Sequence, residues 1–365
     1  MGHSSTQVVK NAVISDKIIL GGNSMKKFNK FWLFAVFATL TFVLAACGGD
    51  DKESSGGSEG GEASEVRIGY FPNMTHIATI VALEKGFYKE QLGEDVKIST
   101  RTFNDGSAFM EGMSTDAIDL GTVGPTPALN NYIKNPAHEI VAGAVNGGAV
   151  LVVRADSGIE KVEDLAGKSV AIPTFGSTQD IALMKALQDA GLKVKTSGGD
   201  VNTVKQAPAD TAALFLQGEI DAAATQEPWG VNIETNAGAK LLLGPDEFAW
   251  GNESTNTVVV AKKDFSSKNP ELLKAALKAH AQAIDFINEN PAEAIELFLA
   301  HVKEITGKEL SKEEVEKAFE RLTPTTAVNE DVLKEMATIS KDAGYINSDN
   351  IDGLVNLSYL EEATK

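Results

Sequence analysis

Twice over, the chain runs through short β-branched segments alternating with helical periods, and that repetition constrains its fold more than any other feature. The first series reads as strand 66–70, helix 75–90, strand 95–103, helix 107–116, strand 118–123, helix 126–134 and strand 139–145. The second reads as strand 149–155, strand 169–174, helix 177–189, a strand near 201–206, helix 209–218 and strand 220–225. Strand–helix–strand order of this kind predicts an α/β architecture of mostly parallel sheets with helices on both faces. Each series is followed by a break, at "GAVLVVR" and at "TNTVVVAKKD" (255–264), after which nearly everything reads as helix. The predicted arrangement is therefore two lobes, 65–147 plus 256–365 and 148–255, joined by two crossing strands with a hinge and a cleft between them.

The last third carries clear helix starts. Asn269 precedes Pro270, a cap followed by a proline at the first helical position, and Ser311 and Glu314 stand at capping-box spacing. His280 and His301 fall inside these helical periods and read as structural rather than as ligands.

Ahead of the lobes, "MKKFNKFWLFAVFATLTFVLAAC" places Lys26, Lys27 and Lys30 before a 16-residue apolar run, Phe31 to Ala46, that ends at the single cysteine, Cys47. The run is short for a membrane span of about 20 residues and has the layout of a signal peptide. "LAAC" resembles the lipobox of bacterial lipoproteins, which implies lipid attachment to Cys47 and cleavage before it. Residues 25–47 are then a lipoprotein signal peptide, and residues 1–24 lie upstream of a complete signal, so translation is expected to begin at Met25. Residues 48–64 contain only glycine, serine, alanine, lysine and acidic side chains, which cannot offset their ordering entropy by burial, and read as a flexible tether. The net charge is −18, and the first 47 residues carry five lysines against one aspartate, which leaves −22 on the rest. That balance argues against nucleic acid or an anionic membrane surface as a partner of the folded part.

In an open parallel sheet ligands sit beyond the carboxyl ends of the strands, so the strand-to-helix bends are the candidate site. They read "GYFPNMTH" (69–76), "FNDGSAF" (103–109), "TVGPTPAL" (122–129) and, in the second lobe, "PTFGSTQD" (173–180). All four offer glycines, hydroxyls or amides at helix N-termini, where unpaired N–H groups suit an anion. Each alone is also what ordinary N-capping produces. Signatures of enzymes are missing: there is no G-x-S-x-G, no G-x-x-x-x-G-K-[ST], no H-E-x-x-H and no cysteine beyond Cys47. His76 has no second histidine or cysteine nearby in sequence, which argues against a metal site. No cofactor is called for.

The segments "VRIGYFPNMTHIATIVALEKGFYKEQLGEDVKI", "DLGTVGPTPAL", "DLAGKSVAIPTFGSTQD", "QGEIDAAATQEPW" and "VVVAKKDFSSKNPELLKAALKAHAQAIDFINENP" resemble the substrate-binding proteins of ABC importers for aliphatic sulfonates, nitrate and taurine, a family that also holds binders of thiamine-pyrimidine precursors. The resemblance implies a two-lobed periplasmic-binding-protein type II fold, a non-enzymatic solute binder, a small-molecule ligand, the transmembrane permease subunits as partners, and a monomer. Carried onto this sequence, the family's cleft uses Tyr70, Asn73 and Thr75 from the first bend, with Gly106 and Ser107 from the second. Thr122, Gly124 and Thr126 come from the third, and Thr174, Gly176, Ser177 and Thr178 face them from the second lobe. Glu227 and Trp229 of "QEPW" fall at the last strand end of that lobe. A carboxylate facing an oxyanion repels it, so either Glu227 turns to a basic or hydroxyl partner or it reads a cationic part of the ligand. Trp229 either stacks on the ligand or covers the sheet end, and His76 either donates to an anion or packs the helix start. The implied ligand is a small oxyanion, an aliphatic sulfonate first, with a thiamine-precursor pyrimidine or other nitrogenous compound, nitrate or taurine as alternatives. A surface lipoprotein without transport function is the remote alternative. Export, tether and lipid together place the chain at the outer face of a bacterial cytoplasmic membrane, in a Gram-positive cell.

Overall fold

The computed structural model describes residues 64–365; the expected signal peptide, Cys47 and all but the end of the expected tether lie outside them. Two mixed sheets form the two lobes. The first holds β1 (Glu65–Tyr70), β2 (Lys97–Thr102), β3 (Leu120–Val123) and β4 (His138–Gly147). The second holds β5 (Ala149–Val153), β6 (Ser169–Ile172), β7 (Asn202–Lys205), β8 (Ala222–Gln226) and β9 (Lys240–Leu243). The chain then returns to the first through β10 (Thr255–Lys262) and β11 (Leu322–Pro324). The orders are β11-β4-β10-β3-β1-β2 and β7-β6-β8-β5-β9. β1 is parallel to both β2 and β3, and β6 to both β7 and β8. The strands that enter a lobe from the other run against their neighbours: β10 against β3 and β4, and β5 against β8 and β9. Each lobe is thus wound as one parallel series with the crossing strand inserted antiparallel, and in the first lobe β11 adds a second antiparallel strand at the edge beside β4.

The helices of the first lobe are α1 (Ile77–Glu84), α2 (Phe87–Leu92), α3 (Gly106–Ser114) and α4 (Pro125–Lys134). Those of the second are α5 (Thr178–Asp189), α6 (Thr211–Gln217) and α7 (Trp229–Ala237). After the return come α8 (Lys263–Lys268), α9 (Pro270–Glu289), α10 (Pro291–Thr306), α11 (Lys312–Phe319), α12 (Glu330–Asp342) and α13 (Ser358–Ala363). The single helix expected over 75–90 is a short 3₁₀ turn, Met74–His76, followed by α1 and α2, with the break at Lys85–Gly86. α7 and β9 fall between the expected elements, and β11 interrupts the helical last third. Ser311 caps α11 through Glu314 N, but the Glu314 carboxylate turns to Asn232 and Asn236 instead of closing the box.

Strand parity decides which side chains reach which layer. On β1, Val66, Ile68 and Tyr70 share one face and join the core beneath α1, α9 and α10. On β5, Val150 and Val152 face the small core under α6 and α7, while Ala149, Leu151 and Val153 face the opposite one. That opposite core runs continuously from Phe103 and Phe109 of the first lobe to Ile181 and Leu183 of α5 and Met336 of α12, so the lobes share an apolar seam. His280, buried on α9, bonds the Gly143 carbonyl at 2.8 Å and is structural.

The first crossing is Gly147–Gly148, whose φ angles of +67° and +70° only glycine adopts without strain. The second runs from β9 to β10. Asn256, on β10, donates through Nδ2 to the Gly147 carbonyl at 2.7 Å and ties the two crossings together.

Candidate functional site

Three first-lobe bends and one second-lobe bend converge along the seam beside these crossings. In the first bend Asn73 opens the 3₁₀ turn, its Oδ1 accepting from Thr75 N at 3.0 Å and from Thr75 Oγ1 at 2.8 Å. The Thr75 methyl lies 3.4 Å from where a Cβ on Gly148 would stand, which sets this bend against the hinge. His76 is buried with its ring centroid 4.6 Å from that of Phe71 and its Nδ1 2.8 Å from Thr122 Oγ1. Burial pushes its pKa down to about 3, so the imidazole is neutral. Thr122 is buried behind that ring and shares its hydroxyl with Thr79 at 3.1 Å.

Tyr70 departs from the expected cleft set. Its parity with Val66 and Ile68 turns it into the first lobe's core, where its hydroxyl lies 2.7 Å from His301 Nε2. His301 Nδ1 in turn lies 2.6 Å from Glu84 Oε1, and burial raises the Tyr70 pKa to about 12. This chain, buried at Tyr70 and His301 and reaching the surface at Glu84, locks β1 to α1 and α10 and gives His301 its structural role.

In the second bend the cap is Asp105, which accepts from Ala108 N at 2.9 Å. Gly106 is the close-packing point: a Cβ there would stand 2.3 Å from Pro127 Cγ on α4. Ser107 is exposed. In the third bend Pro125 and Pro127 deprive the start of α4 of two amide donors, and Thr126 is buried beneath Met336 of α12, Oγ1 to Sδ 3.8 Å. Gly124 meets the other lobe directly, since a Cβ there would lie 2.4 Å from Thr178 Oγ1.

The second-lobe bend closes over this set. Thr174 is buried, and its carbonyl accepts from Ser177 N at 3.1 Å. Ser177 caps α5 through Asp180 N at 3.2 Å, and Asp180 Oδ2 reaches back to Gly176 N at 2.8 Å. Tyr345, following α12, donates its hydroxyl to the same Oδ2 at 2.7 Å. Asp180 is fully buried, and burial lifts its pKa to about 6 against the opposing pull of the Tyr345 and Gly176 hydrogen bonds. Asn130 of α4 donates to the Gly176 carbonyl at 3.5 Å, and Gln179 donates to Asn256 Oδ1 at 3.1 Å. Several oxygens here are buried and unbonded: Thr178 Oγ1, Asp180 Oδ1, Asn130 Oδ1 and, beside the crossings, Asn146 Oδ1, Thr225 Oγ1 and Gln226 Oε1. Buried polar atoms without partners cost about 1–3 kcal/mol each, and this run of them between the two lobes makes the seam the candidate site.

Glu227 stands beside the first crossing, its N donating to the Gly148 carbonyl at 2.8 Å, and Trp229 follows two residues on. Glu227 is fully buried, accepts from Val231 N at 3.1 Å and from Arg321 Nη1 at 2.8 Å, and so takes the basic partner that the sequence reading allowed. Burial pushes its pKa up, with Arg321 pulling against it. Arg321 precedes β11, on the first lobe, and forks onto Glu234 of α7 at 2.5 and 3.0 Å. Its own carbonyl accepts from Gly148 N at 2.7 Å. Trp229 begins α7 half-buried, with Lys308 Nζ 6.0 Å from its ring, at the α7–α11 contact of the two lobes. Arg321, Gln179, Asn130 and Asp180 were not singled out from sequence, although Gln179 and Asp180 close the 173–180 bend and Asn130 directly follows the 122–129 bend.

A family model described as the NMT1-like family matches residues 59–300. The taurine-binding periplasmic protein of Escherichia coli (strain K12) is 29% identical over 232 residues, 63% of this chain and 68% of that protein. The alkanesulfonate-binding protein SsuA from Xanthomonas axonopodis pv. citri bound to MOPS superposes with a TM-score of 0.67 at 20% identity, over 79% of this chain and 96% of that one. The periplasmic nitrate-binding protein NrtA from Synechocystis PCC 6803 gives a TM-score of 0.69 at 15% identity, over 83% of this chain and 89% of that one. At these identities the solved structures establish the shared two-lobed fold.

Proposed function

The chain belongs to the NMT1-like family, and on that premise we propose that it is the extracytoplasmic solute-binding component of an ABC importer. It closes two lobes over a small oxyanion, an aliphatic sulfonate in the first place, and delivers it to a transmembrane permease. One observation carries the reading: Thr178, at the start of α5, keeps a buried hydroxyl without a partner directly against Gly124 of the other lobe. The amides of Thr178 and Gln179 open the same helix end, where an anion is favoured. A ligand seated there touches both lobes, and its better contacts in the closed form drive closure.

The double variant Ser177→Ala/Thr178→Ala binds several-fold more weakly while the second lobe stays folded, since loss of the Ser177 cap costs only about 1 kcal/mol. Calorimetry against alkanesulfonates, taurine, nitrate and aminopyrimidines checks this, and unchanged affinity removes the α5 bend from the site. We read the protein as a binder rather than an enzyme. The hydroxyl bonded to His76 is that of Thr122, buried behind the ring and shared with Thr79, so this pair presents no exposed nucleophile, which supports the reading.

The lipobox-like "LAAC" supports a lipid anchor at Cys47 on the outer face of the cytoplasmic membrane of a Gram-positive cell, with the lobes acting as a monomer beside the permease. Cys47→Ala then shifts the protein from the membrane fraction to the medium on immunoblots; retention in the membrane counts against the anchor.

A further inference from the structure

Of the six unpartnered oxygens along the seam, two are threonine hydroxyls, which can donate as well as accept, and four can only accept. Asp180 Oδ1, Asn130 Oδ1, Asn146 Oδ1 and Gln226 Oε1 are buried acceptors with nothing donating to them. The Asn130 amide is oriented by its Nδ2 bond to the Gly176 carbonyl, and Asp180 grips the N–H of the same residue, so these two free oxygens bracket one backbone position. No basic side chain bonds Asp180: Lys185, one turn along α5, is held by Asp189 at 2.6 Å, and Arg321 is held by Glu227 and Glu234. A bare anion on the Thr178 and Gln179 amides would sit within a helical turn of an uncompensated carboxylate and would leave all four acceptors empty.

From this we propose that the ligand carries an ammonium or amino group, held by Asp180 Oδ1 and Asn130 Oδ1, alongside the anionic group met by the start of α5. The substrate class is then a small zwitterion, an aminoalkanesulfonate or its like, rather than a simple alkanesulfonate or nitrate. This rests on the solute-binding reading above and narrows it. The amine brings the donors the seam lacks, and its charge answers the buried carboxylate with charge-assisted hydrogen bonds.

Matched pairs test it on the purified full chain by calorimetry: taurine against ethanesulfonate, and 3-aminopropanesulfonate against propanesulfonate. The amine-bearing member should bind at least about tenfold tighter, the scale of one hydrogen bond to a charged group. An amine-free sulfonate that binds as well as its partner overturns the amine subsite while the solute-binding reading stands. Binding by neither member of either pair, nor by nitrate or an aminopyrimidine, overturns both. In Asp180→Asn the preference within each pair should collapse to within about threefold, because an amide can place a donor where the free acceptor was. Asn130→Ala gives the same readout without touching the α5 cap, and a preference intact in both variants sinks the assignment.

Discussion

Arg321→Met should destabilise the protein by about 3–5 kcal/mol, the scale of removing one partner from a buried ion pair. Glu227 is fully buried and keeps only the Val231 amide once the guanidinium is gone. The loss falls at the junction of the lobes, because Arg321 joins α7 of the second lobe to the segment between α11 and β11 of the first, and its carbonyl anchors Gly148 of the hinge. Urea unfolding midpoints measure the deficit. Its pH dependence identifies the cause. Burial already raises the Glu227 pKa, and losing Arg321 raises it further above the unfolded value. A carboxyl shifted that way stabilises the fold below its unfolded pKa and loses that contribution as pH rises through the folded one. The deficit should therefore be smallest in acid and full at neutral pH. Adding Glu227→Gln should recover much of it by removing the stranded charge. A deficit below about 1 kcal/mol, or one that ignores pH, would show that the pair is not what holds this junction.

The two-lobed α/β fold and the four strand-to-helix bends were legible in the sequence because each rests on a local signal: β-branched runs, and glycines and hydroxyls ahead of helices. Tyr70 was misplaced because its position in the bend was read without the parity of the strand that delivers it. Counting back by twos through Ile68 and Val66 puts it on the core face. Glu227 posed a correct question whose answer lies 94 residues away at Arg321, beyond the reach of local pattern. One signal was available. With only four arginines in the chain, a carboxylate inside "AAATQEPW" had few partners capable of a buried fork. α7 escaped notice because its Asn, Glu and Thr residues blur the helical period, and β9 and β11 because edge strands of four and three residues carry almost no pattern. The polarity of the seam was hidden for a different reason. An asparagine reads as donor and acceptor alike until its neighbours have claimed one end.

The approach of Gly124 to Thr178 leaves no room for a single methyl group. In Gly124→Ala the new Cβ would stand 2.4 Å from Thr178 Oγ1 and 3.5 Å from Thr178 Cβ. Thr178 is buried on a short, branched side chain and cannot swing clear, so the strain falls on the approach of the lobes. Overpacking of this kind costs about 1–3 kcal/mol, and on the proposed closure of the lobes it should fall on the closed form. Apparent affinity for the bound solute should therefore fall about tenfold or more, while the unfolding midpoint of the ligand-free protein moves little. Small-angle scattering of the variant at saturating ligand should retain a larger radius than the wild type. In a Thr178→Ala background the Oγ1 is gone and the nearest remaining atom of that residue is the Cβ, so Gly124→Ala should cost far less there. That non-additivity separates a clash between lobes from a local fault in α4. If Gly124→Ala binds within about twofold of wild type in both backgrounds, the lobes do not need this contact to close.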